Sequence, residues 1–483
     1  MSKGLPLLSI AYGQRLREEF DLTTGKRIHF IGVGGVGMSG IARVAHDQGH
    51  IVSGSDMKRS RYTDQLEEAG ITISIGHDAA NVPADCDVVV VSTAIPDANS
   101  ELMRAREMGI KVWPRARMLA QLGEGKKTLA VAGTHGKTTA SSMLATVMDT
   151  LGLSPTFVVG GIVDAYQSNT GSGTGDYYVV EADESDGSFL NLSPYVALIT
   201  NVEADHLDHY VGGINEIRAT FARFMESVSD EGAVVVCGED PQLVRLARDT
   251  GRRALVYGFD EGCEVRISNY RTEGVAALFD VSFPDARIVA CRLPKSPGRH
   301  NALNAAGALS AVYAAGEDVQ RAADGLLYYT GVRRRFDLVG NAAGITVVDD
   351  YAHHPTEIKA TIAAARDLDF ARILVLFQPH RYSRTQSLVD EFASAFDAAD
   401  YVVVCDVYAA GEKPLPGVSG KIVADAVEAR GTVDVCYAPT EKEAVDTIVA
   451  IAQRGDLVFT MGAGDVTTYG TAILKALGAR EEA

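Results

Sequence analysis

The run AVAGTHGKTT, residues 130–139, holds the densest chemistry in the chain. Ala130, Val131 and Ala132 end a predicted strand, Gly133, Thr134, His135, Gly136, Lys137, Thr138 and Thr139 follow, and a helix-compatible run begins at Ala140. Glycines in such a turn let backbone N–H groups close around phosphate oxygens. Lys137 adds a positive charge for the β- and γ-phosphates, and the Thr138 hydroxyl is placed to ligate Mg²⁺. The following helix aims its N-terminus at the same anion. The full-length form of this motif carries a glycine where Val131 stands, and a Gly-Lys-Thr can occur in a loop by chance. The strand before it and the helix after it favour a nucleotide triphosphate site.

Other candidate groups sit at strand ends. The apolar strand Tyr177–Glu181 delivers a carboxylate, Glu181, into the acidic run Glu181-Ala182-Asp183-Glu184, which suits the second half of a Mg²⁺-nucleotide site. His206 lies among carboxylates in NVEADHLD, where it reads equally as a metal ligand and as a surface histidine, while Asp205, Asp208 and His209 read as solvated or structural. Asn301 and Asn304 in GRHNALN suit an adenine edge or a helix start. Two loops, Asp349 to Pro355 (DDYAHHP) and Gln378 to Thr385 (QPHRYSRT), gather charged groups at the carboxyl ends of predicted strands, where ligands bind in open α/β sheets.

Near the start, Gly32, Gly34 and Gly37 satisfy G-x-G-x-x-G after a predicted strand, and Asp56 closes the next one. Alone this is a dinucleotide fingerprint with a carboxylate for a ribose hydroxyl, and it favours NAD or FAD. A nucleotide diphosphate sugar fits the same glycine turn, because any diphosphate can approach the helix N-terminus there.

These residues need a frame to hold them. A chain of 483 residues exceeds one core and predicts about three domains. From Arg27 onward strands and helices alternate, as in Ile28–Gly32, Gly37–Gln48, Asp87–Val91 and Ser100–Met108, which predicts parallel sheets covered on both faces. A short helix is expected around Gln14–Phe20, with boundaries near Gln121–Lys127 and Tyr329–Arg335. The predicted division is 1–122, 123–331 and 332–483. The net charge of −18 gives no support for nucleic-acid or membrane-surface binding, so anionic substrates must be held by local basic residues and backbone amides. Six scattered cysteines without a C-x-x-C pair, and no apolar run of about 18 residues, predict a reduced cytoplasmic protein.

In order along the chain, GVGGVGMSGIA, SGSD, AVAGTHGKTT, EADESDGSF, NVEADHLD, PGRHNALNA, VDDYAHHPTE and FQPHRYSRT resemble the Mur ligase family. The resemblance spans nearly the whole chain from Arg27, and that family's phosphate loop is itself the short form without the distant glycine. It implies an α/β fold of three domains: an N-terminal Rossmann-like UDP-binding domain, a central P-loop ATPase-like domain and a C-terminal Rossmann-like domain. The member it points to joins L-alanine to UDP-N-acetylmuramate with ATP and two Mg²⁺ ions, as a monomer or weak homodimer. A recycling ligase that adds a preformed tripeptide is the nearest alternative. A nicotinamide oxidoreductase would rest on the first glycine turn alone, and a P-loop switch would leave the histidine- and arginine-bearing loops unused.

Site roles follow from the resemblance. Gly133 to Thr139, His300, Asn301, Asn304, Arg335 and Asp350 would bind ATP, and Thr138, Glu181 and His206 would hold metal. Tyr351, His353, Arg381 and Arg384 would form the amino-acid pocket, with Lys137, His206, His353, Arg381 and Arg384 acting in catalysis. Gly34, Gly35, Val36, Gly37, Ser55, Asp56, Ser92 and Thr93 would contact the UDP-sugar. Several relatives place a carbamylated lysine on the helix after the His206 loop. Residues 216–227 here (EIRATFARFMES) contain no lysine, so a carboxylate is expected in its place.

Overall fold

The computed structural model of the chain describes residues 25–205, 209, 210 and 212–482. The helix expected around Gln14–Phe20 and the candidate ligand His206 lie outside them. Runs rich in valine and isoleucine, separated by turn glycines, form the strands of three sheets.

The first sheet has the order β3-β2-β1-β4-β5 and is parallel throughout, with β1 Arg27–Ile31, β2 Ile51–Asp56, β3 Thr72–Ile75, β4 Val88–Val91 and β5 Lys111–Pro114. Successive side chains alternate between faces, so Ile28, Phe30, Val88 and Val90 enter one apolar cluster while Ile31 and Val89 enter another with Leu102 and Ala105.

The second sheet has ten strands. Its parallel centre is β12-β11-β10-β6-β9-β7, with β6 Lys127–Ala132, β7 Thr156–Val163, β9 Tyr177–Glu181, β10 Val196–Ile199, β11 Ala233–Cys237 and β12 Ala254–Gly258. Beyond β7 lies antiparallel β8 Ser168–Gly171; beyond β12 lie β13 Val265–Glu273, β14 Ala276–Ser282 and β15 Ile288–Leu293, joined as an antiparallel meander.

The third sheet has the order β16-β17-β21-β18-β19-β20: β16 Asp337–Ala342, β17 Ile345–Asp350, β18 Ile373–Phe377, β19 Tyr401–Val404, β20 Asp434–Tyr437 and β21 Leu457–Met461. Only β16 runs antiparallel to its neighbour.

The first two sheets share one continuous apolar core. Met118, Leu119 and Leu122 from the end of the first unit pack in the same cluster as Tyr178 and Val180 of β9. Tyr178 donates its hydroxyl to the Leu119 carbonyl at 2.9 Å. Gly123 packs against the Tyr178 ring, where a Cβ would come within 2.3 Å of Cδ1. The boundary expected near Gln121–Lys127 is therefore a packed joint. The third sheet keeps two clusters of its own, with Val375 and Phe377 on one face and Leu374 and Leu376 on the other.

Strand order brings the chemistry together. β6 lies between β10 and β9, and β21 lies between β17 and β18. The loops leaving the carboxyl ends of these parallel strands are neighbours for that reason, and they carry the candidate groups.

Candidate active site

At the end of β6 the backbone makes a turn that only glycine accommodates. Gly133 has φ 133°, and a Cβ there would meet the Thr200 hydroxyl oxygen at 2.1 Å; Gly136, with φ 82°, has Asn304 Oδ1 where its Cβ would be, 2.5 Å away. Lys137 then opens the helix Lys137–Thr150. Its ammonium donates to the Gly133 carbonyl (2.6 Å), the Thr134 carbonyl (3.2 Å) and Glu184 Oε1 (2.8 Å). Burial opposes its charge, but Glu184 and Glu181 outweigh burial and raise the pKa, so Lys137 stays protonated. Glu184, which the sequence reading placed only within an acidic cluster, is thus the counter-ion of the loop lysine. Thr138 donates to Glu181 Oε1 at 3.0 Å, and the Gly160 N–H fixes the other carboxylate oxygen at 2.6 Å.

A cavity beside this loop is lined by His300, Asn301, Asn304, Arg335 and Asp350, together with Tyr257, Tyr329 and Phe336. Asn301 donates to the Pro297 carbonyl at 2.8 Å and stands 3.5 Å from Asn304, which fixes both amides at the start of the helix Arg299–Ala315. Burial, with Arg335 nearby, pushes His300 down to about 4 and leaves it uncharged. Asp350 accepts from the Phe336 and Ala352 N–H groups, both at 2.8 Å; burial nevertheless raises its carboxyl to about 6.

Three consecutive arginines leave the central unit in three directions. Arg333 reaches Gln167 Oε1 at 2.6 Å. Arg334, in the left-handed region at φ 64°, donates to Asp349 and to the Gly462 and Gly464 carbonyls of the third unit. Arg335 points between the units, over the Tyr351 ring and 3.6 Å from Glu357.

The larger cleft contains Lys137, Thr138 and Glu181 on one side and Tyr351, His353, His380, Arg381 and Arg384 on the other, with Val36, Arg61 and Tyr62 of the first unit at its margin. His353 donates from Nδ1 to the Tyr351 carbonyl at 2.9 Å, which leaves a lone pair on Nε2. Burial pushes its pKa down to about 3 and that of His380 to about 4. His380 stacks on Tyr408, with ring centroids 5.7 Å apart and nearly parallel planes. Arg381 begins the helix Tyr382–Ser387 with φ 68°, a conformation that L side chains seldom adopt. Arg384 crosses to the central unit and meets both oxygens of Asp205 at 3.4 Å. Asp205, read from sequence as solvated or structural, is thus an inter-unit partner.

The chain matches three family models in sequence: Mur ligase family, catalytic domain, over residues 27–127; Mur ligase middle domain over 131–312; and Mur ligase, glutamate ligase domain over 334–464. The chain belongs to the Mur ligase family. It is 47% identical over 464 residues to the UDP-N-acetylmuramate–L-alanine ligase of Thermobifida fusca, covering 94% of this chain and 97% of that one. It is 44% identical over 457 residues to the ligase of the same name from Syntrophomonas wolfei, covering 94% and 98%. Among solved structures, the UDP-N-acetylmuramate-alanine ligase of Thermotoga maritima superposes with a TM-score of 0.77 at 30% identity, covering 94% and 99%. A murein peptide ligase from Psychrobacter arcticus gives 0.68 at 26%, with the same coverage.

Membership removes the oxidoreductase alternative drawn from the first glycine turn. In this Mur ligase Gly34 donates its N–H to Asp56 Oδ2 at 2.8 Å, so the carboxylate braces the turn itself. Gly35 precedes the helix Val36–Asp47, and Arg115 NH1 lies 2.6 Å from where a Cβ of Gly37 would be. Arg115 also approaches Asp183 at 3.6 Å, a cation beside the turn that no motif announced. Ser92 and Thr93 follow β4 at the same end of the sheet.

Ser55, expected at the UDP-sugar, closes β2 beside Asp56. It is fully buried, and its hydroxyl donates to Glu101 at 2.6 Å inside the first unit. On the helix after the His206 loop, the carboxylate of Glu216 accepts from the Gly212 N–H at 2.7 Å. Tyr257, Tyr329, Phe336, Tyr408, Glu184 and Glu357 were missed from sequence. The aromatic residues stand outside any motif and reach the site only by tertiary folding, while Glu184 and Glu357 lie inside the runs EADESDGSF and VDDYAHHPTE but take their roles from Lys137 and His135, which are distant in sequence.

Proposed function

We propose that this Mur ligase joins L-alanine to the lactyl carboxylate of UDP-N-acetylmuramate, with ATP converted to ADP and phosphate, in cytoplasmic peptidoglycan synthesis. The observation that carries the reading is the single cleft uniting the phosphate-loop Lys137 with Tyr351, His353, Arg381 and Arg384. The whole-length likeness to ligases of that name supports it.

A carboxylate is a poor electrophile until it carries a leaving group. A lactyl carboxylate oxygen attacks the γ-phosphorus, the bond to the β,γ-bridging oxygen breaks, and ADP departs with that electron pair. The amine of L-alanine then adds to the acyl carbon, and phosphate leaves from the tetrahedral intermediate. Catalysis is mostly positioning and charge neutralisation.

Lys137 neutralises the transferring phosphoryl group, and the glycine turn offers it backbone N–H groups. Asn301, Asn304 and His300 hold the adenine, with Arg335 and Asp350 completing the ATP site. Arg381 and Arg384 present planar guanidinium groups to carboxylate and phosphate oxygens. Uncharged His353 offers its Nε2 lone pair to the amine, and Tyr351 closes the pocket. Gly34 to Gly37, Asp56, Ser92 and Thr93 hold the UDP-sugar through its diphosphate and nucleoside.

Thr138 and Glu181 fit Mg²⁺: both are hard oxygen donors, 3.0 Å apart, and a Cβ on Gly160 would crowd the carboxylate oxygen at 2.5 Å. They would hold it, His206 would hold a second ion, and bound Mg²⁺ supplies positive charge at the phosphates.

The test is phosphate release with UDP-N-acetylmuramate, ATP and Mg²⁺, adding L-alanine, glycine, L-serine or the tripeptide separately. Strongest release with L-alanine is expected. Release with tripeptide alone would assign the recycling reaction, and no release under any condition would refute the ligase reading.

A further inference from the structure

Glu357 belongs to no motif role assigned above, yet it stands where the nucleotide cavity and the reaction cleft meet and lines both. It is the third residue of the helix Pro355–Arg366, where His354 and Glu357 form a reciprocal capping box. A helix cap alone asks little of a carboxylate, and it is ordinarily met at the surface. Here the side chain is only 11% exposed, and its two oxygens face different parts of the molecule.

Oε2 accepts from the His353 N–H at 3.2 Å and the His354 N–H at 3.4 Å, and lies 3.4 Å from His353 Nδ1. Oε1 faces the central unit and the inter-unit segment, 3.3 Å from His135 Nδ1 of the phosphate loop and 3.6 Å from Arg335 NH1. One carboxylate thus touches the phosphate loop, an arginine between the units and the backbone that carries His353.

We propose that Glu357 is a positioning residue that fixes the phosphate loop against the amino-acid pocket, so that the nucleotide end and the amine end of the reaction are held in one register. The inference rests on the ligase reading for the identity of the two ends. The same joint has a second strut, because Glu203 accepts from the Thr356 hydroxyl at 2.8 Å while its own N–H donates to the Thr134 hydroxyl oxygen at 2.8 Å. His135 is faced by Glu203 from the loop after β10 and by Glu357 and His354 from the helix. Burial works against its charge, but the two carboxylates prevail and raise it to about 9. At neutral pH the joint is therefore an imidazolium between two carboxylates, with Arg335 behind it.

Glu357→Gln separates this role from helix capping. The amide oxygen still accepts from the His353 and His354 N–H groups, but the charge facing His135 and Arg335 is gone. A buried hydrogen bond between charged groups of this kind is worth about 10- to 100-fold. We expect kcat to fall within that range and KM for L-alanine and ATP to rise. KM for the UDP-sugar and the thermal midpoint should stay as in the parent. The alkaline limb of the pH profile should move to lower pH, because His135 loses one of two carboxylates; Glu357→Asp should restore that limb in part.

An unchanged kcat and pH profile would overturn the proposal. So would an activity loss matched by a fall in thermal midpoint, which would make Glu357 a helix cap only. ATP affinity, titrated by calorimetry across the alkaline range, needs no turnover. If the parent protein released no phosphate with any acceptor, the ligase reading would fail, while a lower ATP affinity in Glu357→Gln with its alkaline limb shifted would still support the joint. An unshifted limb there would refute it.

Discussion

Lys137 is bound to two carbonyls of its own loop and to Glu184, so every donor of its ammonium already has an acceptor waiting for exchange with phosphate. Removing the charge removes stabilisation where the transition state accumulates it. Lys137→Ala should lower kcat by about 10²- to 10³-fold while the protein stays folded, as phosphate release and circular dichroism would report. The buried histidines make a separate prediction. His300, His353 and His380 all have pKa values depressed by burial, to about 4, 3 and 4. A depressed folded pKa means that the unfolded chain binds more protons as pH falls below its own value near 6.5. Their stabilising effect is complete above that pH and is lost as pH falls toward 4. One unit below 6.5 the loss is about 1 kcal/mol per histidine, and denaturant midpoints measured between about pH 7 and 5 should fall accordingly. His135 acts in the opposite sense: its raised pKa stabilises below 6.5 and is lost as pH rises through about 9.

At the scale of elements, two turns depend on atoms that leave no room. Gly133→Ala would place a methyl group 2.1 Å from the Thr200 hydroxyl oxygen at a φ that alanine avoids, so ATP binding should be abolished in calorimetric titration. In the first unit Glu101, on the helix Ser100–Glu107, accepts from Ser55, His29, His77 and Asn81 inside the fold. Burial opposes its charge, yet these hydrogen bonds hold it down to about 2. Glu101→Ala would leave several buried donors unpaired and should cost about 3 kcal/mol in urea unfolding.

The same scale shows what a sequence can and cannot disclose. The strand at Tyr177–Glu181 and the strand at Leu457–Met461 are legible because a short apolar run ends at a polar or turn residue. The phosphate loop is legible because glycines at fixed spacing have one backbone explanation. The meander β13 to β15 was not anticipated: its strands alternate buried and exposed residues beside solvent, a weaker signal than the unbroken apolar runs of the parallel strands. Ser55 is given to the UDP-sugar by the family resemblance alone. Only the fold reveals that period-two alternation turns its hydroxyl inward to Glu101. Glu357 stands in a quoted run, but its contact with His135 could not be read from it, nor that of Tyr408 with His380, since those partners lie far away in sequence.

Across the whole molecule, the third unit is attached by polar contacts. Arg334 ties the inter-unit segment to the Gly462 and Gly464 carbonyls and Asp349, and Arg384 reaches Asp205. Arg334→Ala should expose residues 329–336 to protease, with trypsin cleavage there several-fold faster than in the parent. ATP with UDP-N-acetylmuramate should slow it in both, since a site assembled from separate units closes around its substrates.

The apolar core that runs unbroken from the first sheet through Leu119 and Gly123 to Tyr178 has a further consequence. Residues 25–328 should melt as one cooperative body, because neither sheet can lose its packing without stripping the other. The third sheet, with two closed clusters of its own, should melt independently. A calorimetric scan of the free protein should resolve two transitions for three sheets, and ATP should draw them together by binding across the boundary between the two bodies.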